Sequence, residues 1–341
     1  MRRRNIIGLA AGAFLFSGQV LISGQALPFA ASEPVRRVTV LFPVAQSDPQ
    51  FAENAQMLRG ALLRYGWAEG KNLSLTFVSV GSDPSTIEKR LPAIMTPEPD
   101  VIVSRSTAVA LALRHRPQRT PVVFMQVSDP VGQGIVSTMQ RPGGNMTGFT
   151  VLEPSLGGKW VELLREMAPD LKHVAFLQHR ASSPISVVLA EWIERVSQTV
   201  GLQAVIIPLQ DRSDLEPAFA RLAALDHVGL LVAPGAFTLE NRGLITALAA
   251  RHRILALYPF RYFVTAGGLA SYGSEEVVGF QQAGDYVNRI LRGAHPGDLP
   301  IQGPNRLTFI LNAKVATALD IAITPALLAR ADEIIDEGVH P

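Results

Sequence analysis

The 341-residue chain contains no cysteine. That absence excludes a disulfide framework, thiol catalysis and a lipid-modified N-terminal cysteine, and it is compatible with an oxidising compartment. Charge is sparse as well: 18% of the residues are charged against 48% hydrophobic, which allows a large core and excludes disorder. Beyond the first few residues no block of Lys and Arg could follow a phosphate backbone, so we expect no nucleic-acid partner.

Motifs of catalysis and of cofactor binding are also missing. The chain has no G-x-S-x-G elbow, no P-loop and no G-x-G-x-x-G after the first apolar run, where Pro43-Val44-Ala45-Gln46 stands instead. The histidines are scattered without metal-ligand spacing, and the two nearest, His173 and His179, flank opposite ends of one predicted strand. We therefore predict that the protein is not an enzyme and has no cofactor and no metal site.

Residues 1–32 have the layout of a secretory leader. Arg2–Arg4 form a positive start, an uncharged apolar stretch follows, and small residues suited to cleavage include Ala26 and Ser32. The apolar core, Ile6–Phe16, is shorter than the roughly 20 residues of a membrane span, which disfavours a retained anchor. We expect cleavage after residue 26 or 32 and export to the periplasm by the Sec or the twin-arginine route. Cleavage removes three arginines and lowers the formal net charge from +2 to about −1.

Short runs of Val, Ile and Leu alternate with longer amphipathic patterns along the rest of the chain. The first run, Val38–Phe42, is followed by apolar residues at helical spacing from Phe51 to Tyr65. Asp48-Pro49 supplies an N-cap and a first turn for that helix, and Thr324-Pro325 does the same for the last one. Strands that alternate with helices predict two similar α/β lobes, each a doubly wound parallel sheet with helices on both faces.

Polar and aromatic residues follow many of the predicted strands. Open parallel sheets bind ligands at the carboxyl ends of their strands, so these side chains are candidates to bind a small polar molecule. Arg105 and Arg261 both follow apolar runs, where a guanidinium can bind a carboxylate at two points or simply lie on the surface. The aromatic candidates have core packing as their alternative. The predicted ligand-binding residues are Gln46, Ser47, Ser106, Thr107, Gln126, Asp129, His179, Phe237, Arg261 and Tyr272.

A series of segments, in its order and spacing, resembles one family of exported proteins. The segments are Leu63–Asn72, Asp100–Val103 with Ser106–Thr107, Pro121–Phe124 with Asp129–Gly132, Arg141–Gly148, Tyr258–Val264, Gly267–Gly273 and Ala329–Ile335. Together they are similar to the ABC-transporter substrate-binding proteins of the tryptophan/tyrosine-uptake type, from about Val38 to Ile335.

The resemblance implies the type I periplasmic-binding fold, in which two lobes close on a ligand and the chain crosses between them three times. On this basis we expect one lobe from residues 33–148 plus 274–297 and the other from 149–273 plus 298–337. It also implies a monomer that binds a small organic solute and delivers it to an ABC permease in the inner membrane. The solute would be an amino acid, an aromatic one included, or a carboxylate.

Two segments depart from the pattern common in this family. Ser104–Thr107 replaces a Gly-Thr-Pro or Gly-Thr-Ser run, and Gln178–Arg180 replaces an Asn-Pro-type segment. Both stand where the ligand is expected, and both allow a more acidic ligand than an aromatic amino acid.

Two other functions remain open from the sequence. A ligand sensor that docks on a membrane receptor would have the same features. An exported α/β hydrolase or transferase would need an activated nucleophile, and no motif here supplies one. A repressor of the same fold would need a helix-turn-helix before the first strand, where the predicted leader stands.

Overall fold

Two sheets, each built mainly of parallel strands, organise the protein. The structure is a computed structural model that describes residues 34–116, 119–150, 156–304 and 306–336. The predicted leader, residues 1–32, lies outside the described residues.

The first sheet is formed by residues 36–150, and its strands are parallel throughout. Its elements are β1 (Arg36–Phe42), α1 (Pro49–Leu63), β2 (Leu73–Ser79), α2 (Pro84–Ile94), β3 (Val101–Arg105), α3 (Thr107–Arg114), β4 (Val122–Val127) and β5 (Met146–Thr150). The strand order is β2-β1-β3-β4-β5, a doubly wound order. All five residues of β3 are buried, as expected for a central strand with helices on both faces.

The second sheet repeats this order and extends it. The elements that follow along the chain are α4 (Leu156–Met167), β6 (His173–Gln178), α5 (Ile185–Thr199), β7 (Gln203–Pro208), α6 (Leu215–Ala223), β8 (Val228–Val232), α7 (Ala236–Glu240), α8 (Arg242–Arg251), β9 (Leu255–Tyr258), α9 (Arg261–Thr265), β10 (Ala270–Ser274), α10 (Glu276–Leu291), β11 (Leu307–Asn312), α11 (Ala313–Ala318), α12 (Pro325–Arg330) and β12 (Glu333–Ile335). The strand order is β7-β6-β8-β9-β10-β11-β12, and β11 runs antiparallel to β10, unlike the parallel pairing that we predicted.

The two predicted doubly wound lobes are confirmed. We call the first sheet with α1–α3 and α10 the first lobe, because α10 packs against α1, β3, β4 and β5. We call the second sheet with α4–α9, α11 and α12 the second lobe, since α4, α5, α9 and α11 pack against its strands. Residues beyond 298, which we predicted to belong to the second lobe, still contact β5 of the first. Thr147 Oγ1 donates to the Leu299 carbonyl, and Phe149 pairs with Gln302. The residue boundaries of the lobes stay a prediction.

Helix starts follow from side chains that accept backbone hydrogen bonds. Asp48 accepts from the Gln50 N–H at 2.9 Å with Pro49 in the first turn, and Thr324 accepts from the Leu327 N–H at 3.2 Å. Both predicted N-caps are thereby confirmed. None of the helices among the described residues is long and apolar enough to cross a membrane.

Candidate functional site

The carboxyl ends of strands from both sheets face one another across a cleft between the lobes. The first lobe contributes residues after β1, β3 and β4, and the second lobe contributes residues after β6, β8 and β9. The lining residues are Pro43, Arg105, Ser106, Thr107, Gln126, Ser128, Ser182, Ser183, Pro234, Gly235, Ala236, Leu239, Phe260 and Tyr262. The free volume between them is about 30 Å³, which has room for about one or two water molecules, so a larger solute requires the lobes to separate.

Arg105 is a buried cation in the wall of this cleft. It is the last residue of β3 and is 1% exposed. Its guanidinium carbon lies 5.9 Å from the centroid of the Tyr262 ring, which belongs to the second lobe. A guanidinium over an aromatic face is attracted by the ring quadrupole, so this contact links the lobes. The position is one of those where the sequence departs from the pattern common in the resembling family.

Ser106 follows Arg105 in a backbone conformation that is rare outside glycine. Its φ is 151° and its ψ is 156°, while its hydroxyl oxygen accepts from the Val109 N–H at 3.2 Å and thereby caps α3. Such a conformation costs of order 1–3 kcal/mol and occurs mainly at functional sites. Thr107 Oγ1 accepts from the Ser128 N–H at 3.2 Å, which ties the end of β3 to the end of β4.

Gln126 also has positive φ, 52°, and lies at an irregularity in the β4–β5 pairing. The register shifts between Phe124 and Val127, so the strand bends at Gln126 and changes the direction of that side chain. Gln126 thereby lines the cleft at the end of β4.

The wall from the second lobe is held by a stacked pair of rings behind it. His179 and Phe237 have centroids 4.3 Å apart and planes only 10° apart, and both are buried. His179 Nε2 lies 2.9 Å from the Gln210 carbonyl, which can only accept, so Nε2 carries the proton. Nδ1 is then the acceptor, and it receives the N–H of Ser182 at 3.2 Å and its hydroxyl at 3.0 Å. His179 therefore positions the Ser182 turn.

Gly235 allows the turns after β6 and β8 to approach closely. A Cβ atom at this position would lie 2.9 Å from Ser183 Cβ and 3.3 Å from Ser182 Oγ. Ser183 itself is 4% exposed, and its hydroxyl makes no hydrogen bond within the described part of the chain. A buried hydroxyl in that state is available to a bound solute.

Two polar contacts join the lobes beside the cleft. Arg242 donates two hydrogen bonds to Asp48, at 2.7 and 2.5 Å, and the Ser82 hydroxyl donates to Glu240 at 2.5 Å. Burial disfavours the charged form of Asp48, but hydrogen bonds from Arg242 and Gln50 and the charges of Arg242 and Arg105 together lower the pKa of its carboxyl. We call Asp48–Arg242 the interlobe ion pair.

The structure places three of the ten predicted ligand-binding residues in the cleft wall, namely Ser106, Thr107 and Gln126. Gln46 and Ser47 are exposed on the β1–α1 loop instead. The Asp129 carboxylate accepts from the Gly132 N–H at 2.9 Å and closes a turn. Neither His179 nor Phe237 lines the cleft, since the two rings stack behind it. For these five residues the geometry gives no support to a direct ligand contact.

The last two predicted residues also lie elsewhere. Arg261 makes a two-point ion pair with Glu333, at 3.0 and 2.6 Å. It lines a separate groove of about 460 Å³ between α1 and the β11–β12 edge, where guanidinium and carboxylate groups pair with each other. Tyr272 packs against the core, and its carbonyl accepts from the Trp160 indole N–H at 2.8 Å.

The sequence prediction omitted several residues that line the cleft. Ser182, Ser183, Gly235, Phe260 and Tyr262 all follow predicted strands, and each lines the cleft. Strand-end position therefore indicates which segments line the cleft, but it does not distinguish the residue that faces the other lobe from its neighbour. No group of His, Asp and Glu among the described residues could hold a metal ion.

Comparisons with known proteins agree on the family. The family model described as ABC transporter substrate binding protein matches residues 37–335. The tyrosine-binding protein of Clostridioides difficile (strain R20291) is 23% identical over 262 residues, which cover 76% of this chain and 74% of that protein.

Two solved structures share the fold over most of the chain. A conserved domain protein from Vibrio cholerae superposes with a TM-score of 0.79 at 26% identity, covering 88% of this chain and 99% of that one. An ABC domain from Streptococcus pneumoniae in complex with L-Trp superposes with a TM-score of 0.77 at 20% identity, covering 88% and 100%. With a family match over residues 37–335, this chain belongs to the ABC-transporter substrate-binding protein family.

Proposed function

We propose that this chain is the periplasmic solute-binding component of an ABC importer. It binds a small organic solute, an amino acid or a carboxylate, between its lobes and presents the closed, loaded form to an inner-membrane permease. The lobes open to admit the solute and close around it by hinge motion, which is a common mechanism for proteins of this architecture.

The observation that carries this proposal is the cleft itself. Strand ends from both sheets line it, and hydroxyl, amide and guanidinium groups of both lobes converge there. Contacts that join the lobes, Asp48–Arg242 and Ser82–Glu240, stand beside it. A site divided in this way between two lobes is complete only when they close, so binding and closure are coupled.

The relatives support the choice of solute class. The Clostridioides difficile relative is named for tyrosine, and the Streptococcus pneumoniae structure holds L-Trp. Both solutes carry a carboxylate and a ring. The cleft of this chain offers Arg105 and hydroxyl groups for a carboxylate, and Phe260 and Tyr262 for an apolar or aromatic portion.

A thermal-shift screen over amino acids and small carboxylates tests solute binding. A ligand at about 100 times its Kd stabilises the native protein by about 2.7 kcal/mol, so a true solute should raise Tm by several degrees. Ser183→Trp, which fills the cleft, should abolish the shift. Arg251→Gln, which removes an exposed ion pair on the second lobe, should preserve it. If no compound raises Tm, the proposed function is wrong.

Export is tested separately from binding. N-terminal sequencing of the protein recovered from a periplasmic extract should begin at Leu27 or Glu33. Recovery of the intact N-terminus in the membrane fraction would contradict periplasmic release. Transport requires a second measurement, in which the loaded protein stimulates ATP hydrolysis by its reconstituted permease.

A further inference from the structure

We infer that the groove between α1 and the β11–β12 edge is a second binding site, which takes an organic amine and, when occupied, holds the two lobes together. This inference goes beyond the proposed function, because the groove is separate from the cleft and takes a ligand of a different class. The evidence is the size of the groove, its walls from both lobes and its excess of carboxylates.

The groove has the size of a small-molecule site. Its free volume is about 460 Å³, against about 30 Å³ in the cleft. Small-molecule pockets in proteins usually measure roughly 300–1,000 Å³. A small organic molecule therefore fits the groove while the lobes are close together, whereas the cleft admits one only after they separate. Among the described residues, Tyr262 alone lines both.

Both lobes contribute to the walls of the groove. Gln50, Glu53 and Met57 of α1 come from the first lobe, and residues of α9 and β10–β12 from the second lobe lie opposite. The chain passes from β10 to α10 of the first lobe at Ser274–Glu275, and both of these residues line the groove. A molecule that contacts both walls is bound only while the lobes are close together, so its binding favours the closed form.

Carboxylates outnumber guanidinium groups in this groove. Its described lining residues include four carboxylates and two guanidinium groups, which gives a formal charge of −2. Both guanidinium groups already pair with carboxylates. Arg261 donates to Glu333 at two points, and Arg306 lies 2.9 Å from Asp332 and 3.7 Å from Glu275. The groove therefore attracts a cationic ligand and repels an anionic one.

Two of these carboxylates are held in the charged form. Hydrogen bonds from the Phe309 N–H and the Arg306 guanidinium lower the pKa of the Asp332 carboxyl. The hydrogen bond from Arg261 likewise lowers the pKa of the Glu333 carboxyl. Both groups are therefore negative at neutral pH, and the excess of negative charge is present under ordinary conditions.

Glu53 is the carboxylate best placed to bind the cationic group of the ligand. Within the described part of the chain its hydrogen bond comes from the Gln50 amide, at 3.3 Å, and no cation pairs with it. An ammonium group carries three N–H donors, and its hydrogen bonds to a carboxylate are strengthened by the charges. A bound amine would thus supply the cation that Glu53 lacks.

Apolar side chains line the same groove and suit the body of such an amine. Met57 lies on the α1 side, while Tyr262 and Ile310 belong to the second lobe and are 5% and 4% exposed. A hydrocarbon or aromatic portion gains free energy by burying its surface against them. A metal ion fits less well, since no group of His, Asp and Glu in the described ranges could hold one.

Matched amines and alcohols test this inference by calorimetry on the purified mature protein. The probes are phenethylamine with phenethyl alcohol, tryptamine with tryptophol and hexylamine with hexanol, and hydrocinnamate serves as the anion. At least one amine should bind about tenfold tighter than its alcohol, because its hydrogen bonds to carboxylates are charge-assisted. Its affinity should fall as salt is added, since exposed charges are screened. Saturation with that amine should lower the radius of gyration of the solute-free protein in small-angle X-ray scattering.

Two substitutions locate the amine. Glu53→Gln should weaken its binding about fivefold, which is the upper range for an exposed ion pair. Thr265→Lys places an ammonium group in the groove from the exposed end of α9 and should weaken the amine further. Both substitutions are at exposed positions, so both proteins should fold. Glu88→Gln is the control, since it removes an exposed carboxylate of α2 outside the groove, and it should bind the amine as the wild type does.

The outcomes separate this inference from the proposed function. No binding of amines, equal binding of amines and alcohols, or tighter binding of hydrocinnamate overturns the amine class. An amine affinity that is unchanged in both Glu53→Gln and Thr265→Lys overturns the groove as its site. A radius of gyration that does not fall with the amine overturns the claim that the occupied groove holds the lobes together. Amine binding as expected, with no amino acid or carboxylate raising Tm, supports the groove and overturns only the proposed function.

Discussion

Asp48 at the start of α1 and Arg242 at the start of α8 form a two-point ion pair between the lobes, with oxygen-to-nitrogen distances of 2.5 and 2.7 Å. Their side chains are only 16% and 14% exposed, so water screens the attraction weakly. The same carboxylate accepts the Gln50 N–H and caps α1. One side chain therefore both begins a helix of the first lobe and holds the second lobe.

Neutralising the interlobe ion pair should open the protein. Asp48→Asn keeps a good N-cap, so α1 should remain stable while the charge is lost. We expect a larger radius of gyration by small-angle X-ray scattering without solute, and solute affinity weaker by about tenfold, because a charge-assisted contact of the closed form is removed.

Arg251→Gln is the matched control for this change. It also removes an arginine–carboxylate pair, with Glu216, but both partners belong to the second lobe and are more than half exposed. Its radius of gyration and affinity should equal those of the wild type. An Asp48→Asn protein with wild-type dimensions and affinity would show that the ion pair does not control closure.

Acid should open the lobes through Asp48. In the closed form the pKa of the Asp48 carboxyl lies below its ordinary value of 3.8. Above pH 3.8 the charged carboxylate therefore stabilises the closed form. The contribution is lost as the pH falls through the lowered pKa, because protonation removes the charge that Arg242 binds. Scattering from pH 6 to pH 3 should show opening below about pH 4 in the wild type. Asp48→Asn should already be open at pH 6 and should change less. If the radius of gyration of the two proteins changed with pH in parallel, Asp48 would not be the group that opens the lobes.

Substitution of Ser106 by glycine should preserve stability but weaken solute binding. Ser106→Gly relieves a strained backbone worth about 1–3 kcal/mol and loses a few tenths with the cap, so Tm should rise slightly or stay level. Ser106→Ala keeps the strain and loses the cap, so the free energy of unfolding should fall by about 1 kcal/mol. Both variants lose the hydroxyl of a residue that lines the cleft and should bind solute more weakly. Differential scanning calorimetry measures which of the two variants is more stable. A Ser106→Gly protein less stable than Ser106→Ala would contradict the strain argument.

Gly235→Ala should damage the cleft wall. The new Cβ would collide with Ser183, so the Ser182–Ser183 turn must move, at a cost of about 1–3 kcal/mol of stability. Solute affinity should fall with it. Gly243→Ala is the control, since a Cβ there, in the first turn of α8, meets no atom within 4 Å and alanine loses less backbone entropy than glycine on folding. Equal chemical-denaturation midpoints for the two variants would contradict the close approach at Gly235.

Arg261→Gln should leave solute affinity within about twofold. Arg261 pairs with Glu333 in a groove outside the cleft, and both partners are exposed, so the loss of stability should also be under about 1 kcal/mol. Calorimetry with the best solute from the thermal-shift screen measures this. A tenfold loss of affinity would restore the sequence-based assignment of Arg261 to the binding site.

Arg105 and Arg261 illustrate what the sequence can predict and what it cannot. Alternating patterns identified the strands that both residues follow, and that is why both were candidates. Their different surroundings depend on contacts far apart in the chain: Arg105 reaches Tyr262, while Arg261 pairs with Glu333 on β12. Sequence spacing carries no information about such contacts.

Asp48 illustrates the same limit. Its role as an N-cap was predictable, because the cap acts on the next few residues. Its ion pair with Arg242 joins residues 194 positions apart and exists only when the two lobes are close together. The fold followed from local patterns, whereas the cleft depends on how two lobes with similar patterns are placed against each other.

Joining the lobes covalently tests the central claim most directly. Because the chain has no cysteine, Ser82→Cys with Glu240→Cys introduces a unique pair across the cleft, at positions whose side chains touch in the closed form. A short, reducible thiol cross-linker then holds the lobes together, and binding of the best solute from the thermal-shift screen is measured by calorimetry. Protein cross-linked without solute should bind none, protein cross-linked after loading should retain its solute through dialysis, and reduction should restore exchange in both. Unchanged binding by the cross-linked, unloaded protein would contradict a solute site enclosed between the lobes.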